Sequence, residues 1–296
     1  MKEQLQKRTN DRLEYLINRR QADRSISLRD LEILERKIQV MDRRGIHAVK
    51  GIVKVNITEL DLDQEDRLQA IYYDGHNQLF YKDQDNFYLE EIVEKRRAVF
   101  DGDELVEDAV LPKPEMEETV AFEADYEERL QFEYDRMAAI QYAERYWNTE
   151  NPKYKSFTDN CTNFISQCLH AGEAPMHGYP GRGKGWWMQS KNWSYSWTVA
   201  HSMKTYMAYS KKGLTATEVS SPEQLIKGDV ICYDFQGDGR FDHTTIIVAK
   251  DSDNMPLVNA NTYNSRMRYW SYEDSTAYTT NIKYKFYHLR DSTHSS

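Results

Sequence analysis

Apolar side chains along this chain recur at two different spacings, and the change from one to the other divides it. Over residues 1–45 the period is helical and two helices are expected. In the second, Leu28, Leu31, Leu34, Ile38 and Met41 fall three or four apart, and Ser27 with Asp30 forms a capping pair at its start. From about residue 48 the period drops to two. Val49, Gly51, Val53, Val55 and Ile57 alternate with Lys50, Lys54 and Asn56, and Ile52 is an apolar residue on the polar side. Strand-like runs follow in RLQAIYYD, QLFYKD, NFYLEEIVEKRRAVF and ELVEDAVL, separated by Asp, Gly and Asn turns. These elements predict a small helix-plus-antiparallel-sheet domain over 1–112, and no residue cluster in it carries chemistry. The stretch LPKPEMEET (111–119) holds two prolines and three glutamates without any period, so a linker is expected over 113–123. Leu130, Tyr134, Met137, Ile140 and Trp147 then predict a long amphipathic helix over 124–148, ended by Asn151-Pro152. A second domain spans 124–291, its last strand marked by Ile282, Tyr284 and Phe286 alternating with Lys283 and Lys285.

The segment SFTDNCTNFISQCLHAG (156–172) carries the first chemistry. Phe164, Ile165, Cys168 and Leu169 share one face of a helix, Asp159 or Asn160 stands where an N-cap is needed, and Gly172 closes it. Cys161 therefore lies in the first turn, where unpaired backbone N–H groups and the positive end of the helix dipole favour a thiolate. Cys168, on the apolar face, and Cys232, inside VICYDF, read as buried core residues, the commonest fate of a free cysteine.

A thiolate nucleophile needs a base. Downstream, three antiparallel strands are expected over 229–235, 241–250 and 256–262, with turns at GDG (237–239) and DSDN (251–254). His243 opens the middle strand. With Lys250 opposite Pro256, Asn261 pairs with Thr245 and lies diagonal to His243; a register tighter by two puts Asn261 directly opposite. Asn259 shares that face one pair further away. Asp234, Asp238 and Asp242 do not follow the Asp-x-Asp-x-Asp-Gly spacing of a calcium loop, so a hairpin turn is expected and no metal. The run WWMQSKNWSYSW (186–197) reads equally as the wall of a substrate cleft and as a packed loop.

Bulk properties narrow the function. A net charge of -9 argues against a nucleic-acid surface, and no apolar run reaches the roughly 20 residues of a membrane span. The first residues, MKEQLQKRTNDRLEYL, lack the apolar core of a signal peptide, which points to a cytoplasmic protein, or to an extracellular one whose export signal has been removed. Three cysteines make no disulfide framework and suit a reducing compartment.

The order helix–Cys, His, Asn, with YDRMAAIQYAERYW, NCTNFISQCLHAG, GDVICYDFQGDGRFDHTTIIVA and PLVNANT, resembles the bacterial putative amidase domain family over about 130–290. That family is similar to papain-like cysteine hydrolases of the NlpC and CHAP type. The resemblance implies an α+β fold in which a papain-like helix packs on an antiparallel sheet, and a cysteine-dependent amidase or peptidase without cofactor. It implies a peptide or amide-containing substrate, a cell-wall peptide being one choice. Cys161 would attack the carbonyl, His243 would carry the proton, and Asn261 would fix the imidazole tautomer. The Cys161 N–H and Tyr154 would meet the oxyanion. Two positions depart from the pattern: Asn160 stands where the family reads Asp, and Asn261 where it commonly reads His. The rival expectation is a papain-fold module that binds without turnover.

Overall fold

The computed structural model describes residues 1–19, 26–62, 68–112 and 132–290. The chain folds into two compact α+β units, one of Met1–Lys113 with Tyr263–Tyr278 and one of Pro114–Thr262 with Thr279–Ser296. The linker expected over 113–123, and the expected helix up to residue 131, lie outside the described residues.

Unit 1 begins with two helices, α1 (Lys2–Asn18) and α2 (Leu28–Arg43). Ser27 caps α2 as its spacing to Asp30 predicts, its hydroxyl accepting from the Asp30 N–H at 3.1 Å. Four strands follow as an antiparallel meander: β1 (His47–Leu62), β2 (Leu68–Asp83), β3 (Asn86–Asp101) and β4 (Glu104–Val110). The inward alternation of Val53 and Val55 is used as read. Val53 packs with Leu13, Leu16, Ile38, Met41, Leu79 and Tyr81, and Val55 with Leu5, Ile71, Tyr73 and Phe100. Burying each such side chain contributes about 1.5–3 kcal/mol. RLQAIYYD and QLFYKD are not two strands. They join as β2, because Gly75, His76 and Asn77 pair with β1 on one side and β3 on the other. Ladder bonds on both edges outweigh the local turn preference of Asp-Gly.

The segment 263–278, expected in the second domain, belongs to unit 1. Its strand β11 (Ser265–Tyr269) pairs antiparallel with β3 through Ser265 opposite Ile92. Asp274 then receives Lys37 at 2.7 Å and Arg268 at 2.8 Å, and Arg36 donates to the Glu273 carbonyl at 2.7 Å. Lys37 and Arg36 lie more than 200 positions before these partners, a separation that leaves no trace in a local period. A second ionic group lies under the sheet. Arg96 reaches Asp30 at 2.7 Å and Asp108 at 3.0 Å, Arg12 reaches Asp108 at 2.7 Å, and the Tyr73 hydroxyl donates to Asp108 at 2.7 Å.

Unit 2 carries the helices α3 (Arg136–Tyr146), α4 (Cys161–Ala171), α5 (Tyr195–Thr198) and α6 (Ala200–Tyr209). A short hairpin pairs β5 (Met188–Gln189) with β6 (Asn192–Trp193). The main sheet is formed by β7 (Thr215–Val219), β8 (Val230–Asp234), β9 (His243–Lys250), β10 (Pro256–Ala260) and β12 (Lys283–Arg290). Its order is β10-β9-β8-β12-β7, every pair antiparallel. Helix α3 starts at Arg136, where the Asp135 carboxylate accepts from the Ala138 N–H at 2.9 Å. Its buried face is Ala139 and Ala143, and Met137 points to solvent. Small residues stand where the sequence pattern favoured larger ones, because close packing against the end of α4 selects them. A Cβ on Gly172 would lie 2.5 Å from the Tyr134 ring and 2.8 Å from the Asp135 carbonyl oxygen. Gly172 is thus required for space as well as for ending the helix; its φ of -82° is not left-handed.

Candidate active site

Helix α4 begins at Cys161 as the motif predicts, and its first nine residues are all buried. A buried helix must satisfy its polar side chains internally, and Thr162 and Thr244 do so across the α4–β9 contact at 3.2 Å. This contact fixes the helix start against the start of β9. The Cys161 Sγ consequently lies 4.0 Å from the carbonyl oxygen of Asp242, the residue directly before His243. His243 opens β9 opposite Tyr233, and its ring lies 5.6 Å from the Tyr233 ring and 6.1 Å from that of Phe235. Cys161 and His243 are both nearly enclosed, at 2% and 4% exposure. The other two thiols are core residues: burial pushes both Cys168 and Cys232 well above the ordinary thiol range.

The β9–β10 register begins as expected, with Pro256 opposite Lys250 and Leu257 opposite Ala249. A bulge between Leu257 and Val258 then removes one residue from the count, so that Asn259 pairs with Ile246. A one-residue slip exchanges the faces of a strand. The pairing that would set Asn261 beside the imidazole is therefore not formed. Asn259 donates instead to Glu144 of α3 at 2.8 Å. Asn261 accepts at Oδ1 from Asn160 Nδ2 at 3.1 Å and from the Thr262 N–H at 3.0 Å, and its Nδ2 donates to the Trp147 carbonyl at 3.2 Å.

These bonds are part of a longer chain. The Trp197 indole N–H donates to Asn163 Oδ1 at 2.9 Å, Asn163 Nδ2 donates to Asn160 Oδ1 at 2.8 Å, and Asn160 passes the sequence on to Asn261 and Trp147. An indole only donates and a carbonyl only accepts, so the ends fix the orientation of all three amides. Asn160 stands at the N-cap position of α4, yet its side chain makes no capping bond. It serves the lateral chain and also accepts from the Phe157 N–H at 3.2 Å. The backbone N–H of Asn160 donates to the Thr262 hydroxyl at 2.5 Å. Asn163 was missed from sequence, although its i, i+3 spacing from Asn160 places both on one side of the helix.

Tyr154 is half-buried, its ring stacked 6.1 Å from Trp197. Burial raises its pKa, so the phenol stays protonated at neutral pH. With Lys155, Asn160, Asn163, Gln167 and Asn261 it lines a small open cleft, which Cys161 itself does not line. Most of the tryptophan run is packed: Trp186, Trp187 and Trp197 are fully buried, and only Trp193 is partly open. The aspartate turn is also structural. The Asp234 carboxylate accepts from the N–H groups of Gly237, Asp238 and Gly239 at 2.7, 3.3 and 2.8 Å.

These residues lie in an α+β unit in which Cys161 opens a buried helix and His243 opens the strand that the helix start contacts. Residues 133–287 match the family described as "Putative amidase domain", and the chain belongs to that family. It is 49% identical over 299 residues to the protein YhbB of Bacillus subtilis (strain 168), covering 98% of this chain and 96% of that one. It is 33% identical over 126 residues to YjcM of the same organism, covering 40% of this chain and 28% of that one. No solved structure matches. Among the described residues, no helix is long and apolar enough to cross a membrane.

Proposed function

We propose that unit 2 is a cysteine-dependent amide hydrolase of papain-like type, with Cys161 as nucleophile and His243 as base. The observation that carries this reading is the approach of the Cys161 Sγ to the Asp242 carbonyl, which sets the thiol at a helix start beside the residue that precedes the histidine. Cys168 and Cys232 are excluded from the role by burial that keeps them protonated.

In this mechanism the Cys161 thiolate attacks the amide carbonyl and a tetrahedral oxyanion forms. The backbone N–H at the start of α4 and the protonated Tyr154 hydroxyl supply donors to it. His243 delivers its proton to the leaving amine, the C–N bond breaks and a thioester remains. His243 then takes a proton from water, which attacks the thioester and releases the acid and the Cys161 thiolate. Asn261 acts through Asn160, bracing the backbone that carries the nucleophile, in place of orienting the imidazole. A cell-wall peptide is one substrate of the required bond type.

The test is selective alkylation followed by turnover. Iodoacetamide at mildly acidic pH should modify Cys161 far faster than Cys168 or Cys232, and Cys161→Ala should abolish both this reaction and hydrolysis across a panel of peptides and peptidoglycan fragments. Equal, slow modification of all three thiols would overturn the reading.

A further inference from the structure

Beside the start of α4 lies a pair of cations that the proposed chemistry does not use. The Lys155 ammonium stands 4.4 Å from the centre of the Trp193 ring and 5.3 Å from that of Phe157. The Arg182 guanidinium stands 5.1 Å from the same Trp193 ring and 4.6 Å from Tyr195. Phe157 packs edge-on to Trp193 at 4.9 Å, and the Arg182 Nε donates to the Trp193 carbonyl at 3.1 Å. Two aromatic contacts therefore position each charged group.

Three features set this group apart from ordinary surface charge. Both side chains are exposed in a chain of net charge -9, yet among the described residues neither meets a carboxylate within ion-pair distance. Glu150, in the cleft that Lys155 also lines, is engaged by the Ser156 hydroxyl at 2.5 Å. Sharing one ring, the two charges lie under about 10 Å apart, within roughly a Debye length at 0.1 M salt, so they repel unless an anion joins them. An aromatic face attracts a cation without neutralising it, which leaves both charges available to a ligand. The group is also tied to the nucleophile: the Phe157 N–H donates to the side chain of Asn160, the residue before Cys161.

We propose that Lys155 and Arg182, on the Trp193 platform, form a carboxylate-binding subsite, and that the amide substrate is an acidic peptide. This deepens the hydrolase reading and rests on it for the location of the scissile bond. The planar Arg182 fork suits a carboxylate held by two parallel hydrogen bonds, and Lys155 adds a mobile point charge.

The experiment compares peptide amides that differ only in glutamate against glutamine at successive positions around the scissile bond. At one position glutamate should raise kcat/KM at least tenfold, an advantage that shrinks with added salt and disappears in Lys155→Met/Arg182→Met. The charge-reversed Lys155→Glu/Arg182→Glu should prefer the lysine peptide, a gain that misfolding cannot produce. Hydrolysis indifferent to peptide charge at every position, in wild type and variants alike, would overturn the subsite and leave the hydrolase standing. If no amide is cleaved, the hydrolase reading fails by itself. Calorimetric binding to Cys161→Ala then decides the subsite: preference for the glutamate peptide, lost with Lys155→Met, upholds it, and equal or absent binding of the glutamate and glutamine peptides overturns it.

Discussion

Each unit buries a polar network, and the two are built from opposite materials. In unit 1, Arg12 and Arg96 meet Asp30 and Asp108 in an ionic cluster, and Arg96 is only 1% exposed. In unit 2, Asn163, Asn160 and Asn261 form a neutral amide chain between an indole donor and a backbone carbonyl. The ionic cluster joins α1, α2, β3 and β4 through charges that tolerate small changes in geometry. The amide chain bears no net charge and runs past the residue before Cys161. Amides fix direction without placing a net charge beside Cys161, whereas a buried carboxylate there would oppose a thiolate. The comparison separates a network that holds a fold from one that holds a site.

The largest expected effect breaks the ionic side. Arg96→Met leaves Asp30 and Asp108 buried with half their partners, and should cost about 3–5 kcal/mol in urea denaturation. A cost below about 1 kcal/mol would mean that the cluster adds nothing beyond packing.

Next comes the amide side. Asn160→Asp removes the donor to Asn261 and sets a carboxylate against its oxygen, so a loss of about 1–3 kcal/mol and slower alkylation of Cys161 are expected. The double variant Asn160→Asp/Asn261→His restores an acid beside a donor, as the family pattern has it. It should recover at least half of both losses in a double-mutant cycle. Strict additivity would show that the two side chains do not act as a unit.

Acid sharpens the contrast. Burial alone would raise Asp108, but Arg96 and Arg12 outweigh it and hold the carboxylate below its ordinary range; Arg268 and Lys37 do the same for Asp274. A carboxylate with a lowered folded pKa contributes stability above its unfolded value near about 4, and that stability is lost as pH falls through the folded value. Each tenfold difference in proton affinity between the folded and unfolded chain is worth about 1.4 kcal/mol. The denaturation midpoint should fall between pH 6 and pH 3, and fall less in Arg96→Met. An unchanged midpoint in the wild type would contradict the charge assignment. The amide chain itself has no titratable member and should add nothing to this slope.

The smallest effect discriminates most finely. Asn261→Ala should lower the alkylation rate of Cys161 while leaving the pH midpoint of the reaction in place, because the proposed role of Asn261 is exerted through its hydrogen bond with Asn160. A displaced midpoint would return Asn261 to the imidazole.

Much of unit 1 was legible locally. The helix start at Ser27 and the alternation of Val53 and Val55 follow from one hydrogen bond and from the two-residue period of a strand. The start of α4 was legible for the same reason: Asn160-Cys161 opening an apolar helix is a pattern of a few consecutive residues. The pairing of Asn261 was not, since one extra residue in β9, Val248, shifts the ladder opposite Leu257/Val258 and β10 ends at Ala260. The tryptophan run left cleft wall and packed loop open, and its burial became clear only where Asn163 and Ser166 of α4 receive the indoles of Trp197 and Trp186.

By itself, then, the sequence determined the start of α2, the inward alternation in β1, the start of α4 at Cys161 and the start of β9 at His243, because these depend on neighbours within one turn or one hairpin. Tertiary structure alone decided that residues 263–278 pair with β3, that Gly172 makes room for the Tyr134 ring, and that three asparagines spread over about a hundred positions form one oriented chain. Those depend on contacts between distant segments, where a single bulge or a buried ion pair outweighs any local preference.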